Sequence, residues 1–201
     1  MTKRALIYKL LHDAELFEKK PLLITTTRRE GKGFDNNLLN KGISVKDIWP
    51  SSFTVFVSGT QPVDYLSCGL NLEALSLPAK QVIEATVGPG SVEFLPVSIV
   101  NEDAQEPIRQ YWILNVLSHI DALDWEHTMW IPDEIPYNKP DAHLDFIKPA
   151  FKLQAVESQH MFLLRVRERI NAAIYISAAL RKNLERAHAV LGMDFMPIKV
   201  V

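Results

Sequence analysis

The chain has 201 residues, 47% of them hydrophobic and 23% charged, and its 22 Lys and Arg against 24 Asp and Glu leave a formal charge of −2. That length suits one folded unit built of two similar halves, and the composition excludes a disordered chain. The balance of charge, without a basic block, excludes the counterion release that drives binding to nucleic acid.

Residues 5–11 read either as a strand or as the first turns of a helix, and Lys9, His12 and Asp13 break the apolar run before it could form a signal-peptide core. No apolar stretch reaches the ~20 residues needed to span a bilayer. Secretion and membrane insertion are therefore not expected. Residues 25–50 are polar and rich in turn formers, and read as a surface connection ending at Trp49-Pro50. Residues 53–57 alternate and are β-branched, as a strand does. Cys68 has no partner for a disulfide and no base beside it, which points to an inert packing residue in a reducing, cytoplasmic compartment.

The next signal is internal. A shift of 101 residues, from Leu75 to Ile176, lays residues 75–100 on residues 176–201 without a gap. Identical pairs are Ser76/Ser177, Glu84/Glu185, Phe94/Phe195, Pro96/Pro197 and Val100/Val201, and Lys80/Arg181 is among the similar ones. Each Ser suits an N-cap, and a glycine-containing turn precedes each terminal strand. In the second copy Leu180, Leu184, Ala187 and Leu191 form an apolar helical stripe, with Gly192 at the exit. The reading is two related strand, Ser-capped helix, turn and strand units.

Between them, Pro107 can open a helix through Leu123 that is apolar around most of its circumference, a central core helix. Residues 151–156, 160–166 and 173–177 read as strands. The expected fold class is α+β, with a mostly antiparallel or mixed sheet, in a single domain over residues 1–201.

Catalytic signatures do not appear. Gly31-Lys32-Gly33 lacks the upstream glycine and the Ser or Thr of a phosphate loop, and neither G-x-G-x-x-G nor G-x-S-x-G occurs. His119, Asp121, Asp124, Glu126 and His127 form the one dense cluster of ligand types. On a helix they would fall on different faces without zinc spacing, so no metal, cofactor or catalytic residue is assigned. His12, His143, His160 and His188 are scattered.

Residues 124–141 stand out for another reason. Aromatic anchors, clustered carboxylates and prolines at 132, 136 and 140 suit a loop that docks on a basic protein at low entropic cost. The candidate contacts are Trp130 and Tyr137 as anchors, with Asp124, Glu126, Asp133 and Glu134 as a polar rim. The alternative is that these rings fill the core beneath a long loop.

Four elements resemble the eleventh immunity-protein family of bacterial polymorphic toxin systems: residues 92–97, residues 111–124 with their Leu114-Asn115-Val116-Leu117 core, residues 174–182, and Phe195-Met196-Pro197-Ile198. The resemblance covers about the last two-thirds of the chain, and the first 50 residues match nothing in it. It implies a non-enzymatic cytoplasmic protein that binds and neutralises a cognate secreted toxin and so protects its producer. The shared residues look like fold determinants, and no catalytic residues are carried over. A small-molecule-binding domain, an enzyme of unstated reaction, and a structural homo-oligomer suggested by the similar halves are the alternatives.

Overall fold

The computed structural model describes residues 6–19, 24–30, 34–59, 61–69, 72–102, 106–108, 110–131, 146–167 and 169–201. Strand β1 (Ile7–His12) and helix α1 (Ala14–Lys19) are followed by β2 (Ile24–Glu30), β3 (Thr54–Ser58), β4 (Tyr65–Ser67) and β5 (Glu73–Leu75). Helix α2 (Leu77–Val87) leads into β6 (Val92–Asn101), then β7 (Glu106–Pro107), β8 (Tyr111–Val116), β9 (His119–Ile120), β10 (Met129–Trp130) and β11 (Phe146–Lys148). The chain ends with β12 (Ala150–Phe151), the single turn α3 (Leu153–Val156), β13 (Met161–Val166), β14 (Arg169–Ser177), α4 (Ala178–Arg186) and β15 (Met193–Val200).

The fold is α+β and dominated by sheet. One mixed sheet has the order β2-β3-β6-β8-β5-β4, with β7 paired to β6, and the other runs β12-β15-β1-β14-β13-β9. The two orders match over five strands, β3-β6-β8-β5-β4 and β12-β15-β1-β14-β13, while β2, β7 and β9 have no counterpart among the described strands. In the first, β8 lies antiparallel between β5 and β6, which α2 connects. In the second, β1 lies antiparallel between β14 and β15, which α4 connects. A parallel strand flanks each unit on one side, β3 on β6 and β12 on β15. An antiparallel strand flanks each on the other, β4 on β5 and β13 on β14.

The repeated residues explain the repeated unit. Ser76 Oγ accepts the Ala79 N–H and Ser177 Oγ the Leu180 N–H, so both helices start on the same cap. The amide of each capping Ser donates to the residue just before the flanking strand, Asp64 O and His160 O, both at 3.0 Å. On α2 the Lys80 ammonium sits 4.9 Å from the centre of the Phe94 ring and 5.6 Å from that of Trp112, and pairs with Glu84 at 2.7 Å. On α4 the Arg181 guanidinium lies 5.1 Å from Phe195 and 4.6 Å from Tyr8, and pairs with Glu185 at 2.7 Å. Trp112 and Tyr8 hold the same place, each opposite the equivalent proline, Pro96 or Pro197. Cation and ring attract through the ring quadrupole, and this seals the outer edge of each helix against its sheet.

The central helix expected over residues 107–123 is not there. Its core is strand β8, with Tyr111 and Ile113 buried in one apolar cluster and Leu114 and Val116 in another. A strand covered on both faces shows a continuous apolar run, and periodicity cannot separate that from a buried helix. Residues 151–156 also differ, since only β12 is extended and residues 153–156 turn helically. The second-copy helix is shorter than its apolar stripe implied: Leu180 and Leu184 are buried, Ala187 is exposed, and His188 already adopts φ 52° ahead of Gly192 at φ 91°. Residues 25–50 are more than a surface connection, because Ile24–Glu30 is strand β2 paired with β3, Leu39, Asn40 and Val45 are buried, and Trp49 Nε1 donates to Pro96 O at 2.9 Å.

One apolar cluster takes residues from both sheets and both helices, including Leu75, Ile83, Leu114, Leu163, Ile176 and Leu184. Each such side chain contributes about 1.5–3 kcal/mol when removed from water. Asn183 Nδ2 donates to Thr86 Oγ1 at 3.1 Å, a polar tie between α4 and α2. A further cluster, with Phe151, Phe162, Tyr175 and Ile198, covers the opposite face of the β1 sheet. Among the described residues no helix is long and apolar enough to cross a membrane.

Candidate functional site

The aromatic and acidic segment begins on a short ribbon, β10 paired antiparallel with β11. Its root is polar and buried. Thr128 Oγ1 donates to Asp124 O at 2.6 Å and accepts the Ala150 N–H at 3.1 Å, while Asp124 N–H donates to Ala150 O at 2.8 Å. The Asp124 carboxylate accepts both the backbone N–H of His127 and its ring Nδ1, each at 2.9 Å. The His127 ring bond, more than any other contact, lowers the pKa of Asp124 from its ordinary value.

The two tryptophans stack, with ring centres 5.0 Å apart, and Trp130 Nε1 donates to Trp125 O at 3.3 Å. Phe146 meets Trp130 edge-on at 6.3 Å, and the Arg167 guanidinium lies 5.5 Å from the Trp125 ring. Both tryptophans and Phe146 lean against the Phe151 cluster, so Trp130 is half-buried and already carries packing. The outer face of the ribbon instead shows Met129 and Ile147, each 52% exposed, beside exposed Glu126. Of the candidate contacts, Trp130 is on β10, and Asp124 and Glu126 lie in the turn that leads into it. Asp133, Glu134 and Tyr137 lie outside the described residues. Exposed Ile147 was missed by sequence reasoning, since nothing in its neighbourhood marks the irregular pairing in which Met129 faces Lys148 and Trp130 faces Phe146.

Asn115, at the centre of the most specific family-like element, is fully buried. Its Oδ1 accepts the Asn40 N–H at 2.9 Å, and its Nδ2 donates to Ile43 O at 3.0 Å and Glu93 Oε2 at 2.9 Å. Asn40 Oδ1 in turn accepts the Val116 N–H at 3.0 Å, and Glu93 takes Ser44 Oγ and the Val45 N–H. This network fastens residues 40–45 onto β8 and β6. Its residues serve to position that segment, because every one of these polar atoms is committed inside the protein.

Glu73 is the other unusual polar group. Paired with Ser67 across β5 and β4, it has one buried oxygen, Oε2, without a hydrogen-bond partner among the described residues. Burial pushes its carboxyl up to about 7, against the opposing hydrogen bonds of Tyr65 and Ser67. Cys68 is buried, as a packing residue is. Among the described residues no three His, Cys, Asp or Glu side chains converge as metal ligands do.

Comparison with known proteins places the chain. No curated protein matches it. A model of the Immunity protein family (Imm11) matches residues 13–200, which takes in α2, α4 and the strands they connect, the Asn115 network and the aromatic ribbon, but not β1. The chain belongs to the Imm11 immunity protein family.

Proposed function

We propose that this protein neutralises a cognate toxin by stoichiometric binding, in the cytoplasm of the cell that makes both, and performs no catalysis of its own. The family match over residues 13–200 carries the reading. The polar side chains of the buried networks support it, because they are spent on holding loops and caps, and among the described residues no nucleophile, base and orienting group stand together. The contact surface includes residues 124–141, with Asp124, Glu126, Trp130, Asp133, Glu134 and Tyr137. Met129 and Ile147 supply apolar area beside Glu126. A carboxylate-rimmed patch with apolar centres suits a basic protein surface.

The test is a titration of the purified protein against the toxin domain encoded in the adjacent reading frame, with growth rescue on co-expression. We expect an equimolar complex tighter than micromolar. Met129→Asp and Glu126→Lys, both at exposed positions, should weaken it without lowering the melting temperature, as should Asp133→Lys/Glu134→Lys. Trp130→Ala should cost stability as well, since its ring packs on Trp125 and Phe146. Absence of binding by the unmodified protein would defeat the proposal, and unchanged affinity in all the surface variants would remove this segment from the interface.

A further inference from the structure

A cleft of about 410 Å³ opens at the start of α2, between Leu77 and Pro78 on one side and Gln110 and Trp112 on the other, with Pro62 and Asp64 along its floor. The equivalent place in the C-terminal unit is closed. There the β1–β14 ladder continues to Ile7 opposite Ser177, and the Ala178 N–H donates to Leu6 O at 2.9 Å. In the N-terminal unit the ladder stops one pair earlier, at Leu75 opposite Trp112. Small Ala178 and Ala179 stand where the cleft has Leu77 and Pro78. The opening is therefore a departure of one copy from a shared plan, and it leaves Leu77 45% exposed at the mouth.

The walls state the chemistry of the occupant. Most of the lining is apolar, and the polar atoms of Tyr111, Ser76 and Asp64 already have partners. The Tyr111 hydroxyl donates to Val63 O at 2.6 Å, Ser76 Oγ donates to Asp64 Oδ1 at 2.6 Å, and Asp64 Oδ2 accepts the Leu191 N–H at 3.0 Å. A free small molecule needs fixed donors and acceptors to orient it. A side chain delivered by a folded partner is oriented by its own backbone instead. Among the described residues the single charge in the lining is the Asp64 carboxylate, held in place by those two bonds, while Lys80 on α2 is drawn onto Glu84 and the Phe94 and Trp112 rings. The Asp64 carboxylate favours an apolar residue with a basic neighbour.

We infer that this cleft is a second contact with the toxin, a socket for one large apolar side chain, Leu, Met or Phe, flanked by Lys or Arg. The inference rests on the toxin-binding function proposed above and adds a site on the other repeated unit from the aromatic ribbon. Two variants test it. Leu77→Asp puts a charge at the mouth, and an acid in the first helical turn is compatible with folding because it faces the positive end of the helix. Gln110→Trp fills the cleft from an exposed position. Each should weaken binding of the adjacent-frame toxin domain about tenfold or more, the cost of losing an interface anchor, with the melting temperature unchanged. A toxin in which a protruding apolar residue next to Lys or Arg is changed to Ser should show the same loss, and no further loss with Leu77→Asp.

Toxin affinity within about twofold of the unmodified protein in both folded variants overturns the socket and leaves the immunity function standing. If Leu77→Asp does not fold, Gln110→Trp alone decides. An unmodified protein that fails to bind the toxin overturns both readings. A melting shift by free indole that both variants abolish, with toxin affinity intact, would assign the cleft to a small ligand and also overturn the socket.

Discussion

The two split β-α-β units share their caps, their cation-and-ring seals and their strand order, yet four equivalent places differ in kind. Asn115, Glu73, Tyr65 and Ser67 in the N-terminal unit stand where the C-terminal unit has Leu11, Ile174, Met161 and Leu163. The C-terminal set is apolar, with Ile174, Met161 and Leu163 buried among the side chains shared by both sheets. The N-terminal set is polar and tied to partners of its own, and it accompanies the parted ladder at Leu75. What both copies keep is what a strand-helix-strand unit needs to form. What only one copy carries serves something added to it: the packed segment 40–45 in the case of Asn115, the open cleft in the case of the shortened ladder.

The seam between the units gives the largest expected effect. Gly192 has φ 91°, and a Cβ there would stand 2.5 Å from Tyr65 O, a backbone atom of the other unit. Gly90, in the corresponding turn of the first unit, has φ 82° with open space around it. Left-handed geometry alone costs an alanine about 1–2 kcal/mol, and a forced overlap adds about 1–3 more. Gly192→Ala should therefore lose about 4 kcal/mol in urea unfolding, against about 1 kcal/mol for Gly90→Ala. Equal losses would mean that the two units do not meet through this contact.

Next comes the transplant of Leu11 into its equivalent, Asn115→Leu. Both side chains have four heavy atoms branched at Cγ, so a purely apolar requirement would make the change neutral or stabilising. Here it strands the Asn40 N–H and the Ile43 carbonyl and removes a donor from Glu93. Buried groups left without partners cost about 1–3 kcal/mol each, and relaxation of the 40–45 segment recovers part of that. We expect a loss of about 3 kcal/mol, with faster amide exchange confined first to residues 40–45. A stable variant with that segment still protected would show that the loop is held by Leu39 and Val45 instead.

The same contrast explains what could be read from residues alone. The repeated unit was legible because Ser76 and Ser177 cap helices through short-range chemistry, and because Glu84/Glu185 and Phe94/Phe195 keep one spacing. The family was legible through the Leu114-Asn115-Val116-Leu117 element. The secondary structure of that element was not, since Leu114 and Ile113 face different apolar clusters and leave no polar side to mark a period. The place of β1 was hidden for a topological reason: it completes a unit whose other strands lie more than 150 residues away in the chain. Trp130 was recognised as notable, but its stack on Trp125 and contact with Phe146 come from tertiary packing that composition does not encode.

The smallest expected effect is a pH dependence carried by Glu73 alone of the equivalent pair, since Ile174 cannot titrate. Burial raises the Glu73 carboxyl from 4.5 to about 7, so the folded protein keeps a proton that the unfolded chain has released. In that window the folded state binds more protons, and its stability must fall as pH rises. The contribution is complete below 4.5 and fully lost once pH passes about 7. At about 1.4 kcal/mol per pKa unit, ionising the buried carboxyl costs on the order of 3 kcal/mol by pH 8. Glu73→Gln keeps a polar head beside Ser67 and Tyr65 and cannot ionise, so it should stabilise the protein by about 2 kcal/mol at pH 8 and change little at pH 4.5. Urea unfolding across that pH range reads the difference directly. A variant whose stability keeps the slope of the unmodified protein between pH 5 and 7 would show that Glu73 ionises freely in the folded state, and that the polar replacement of Ile174 is accommodated without strain.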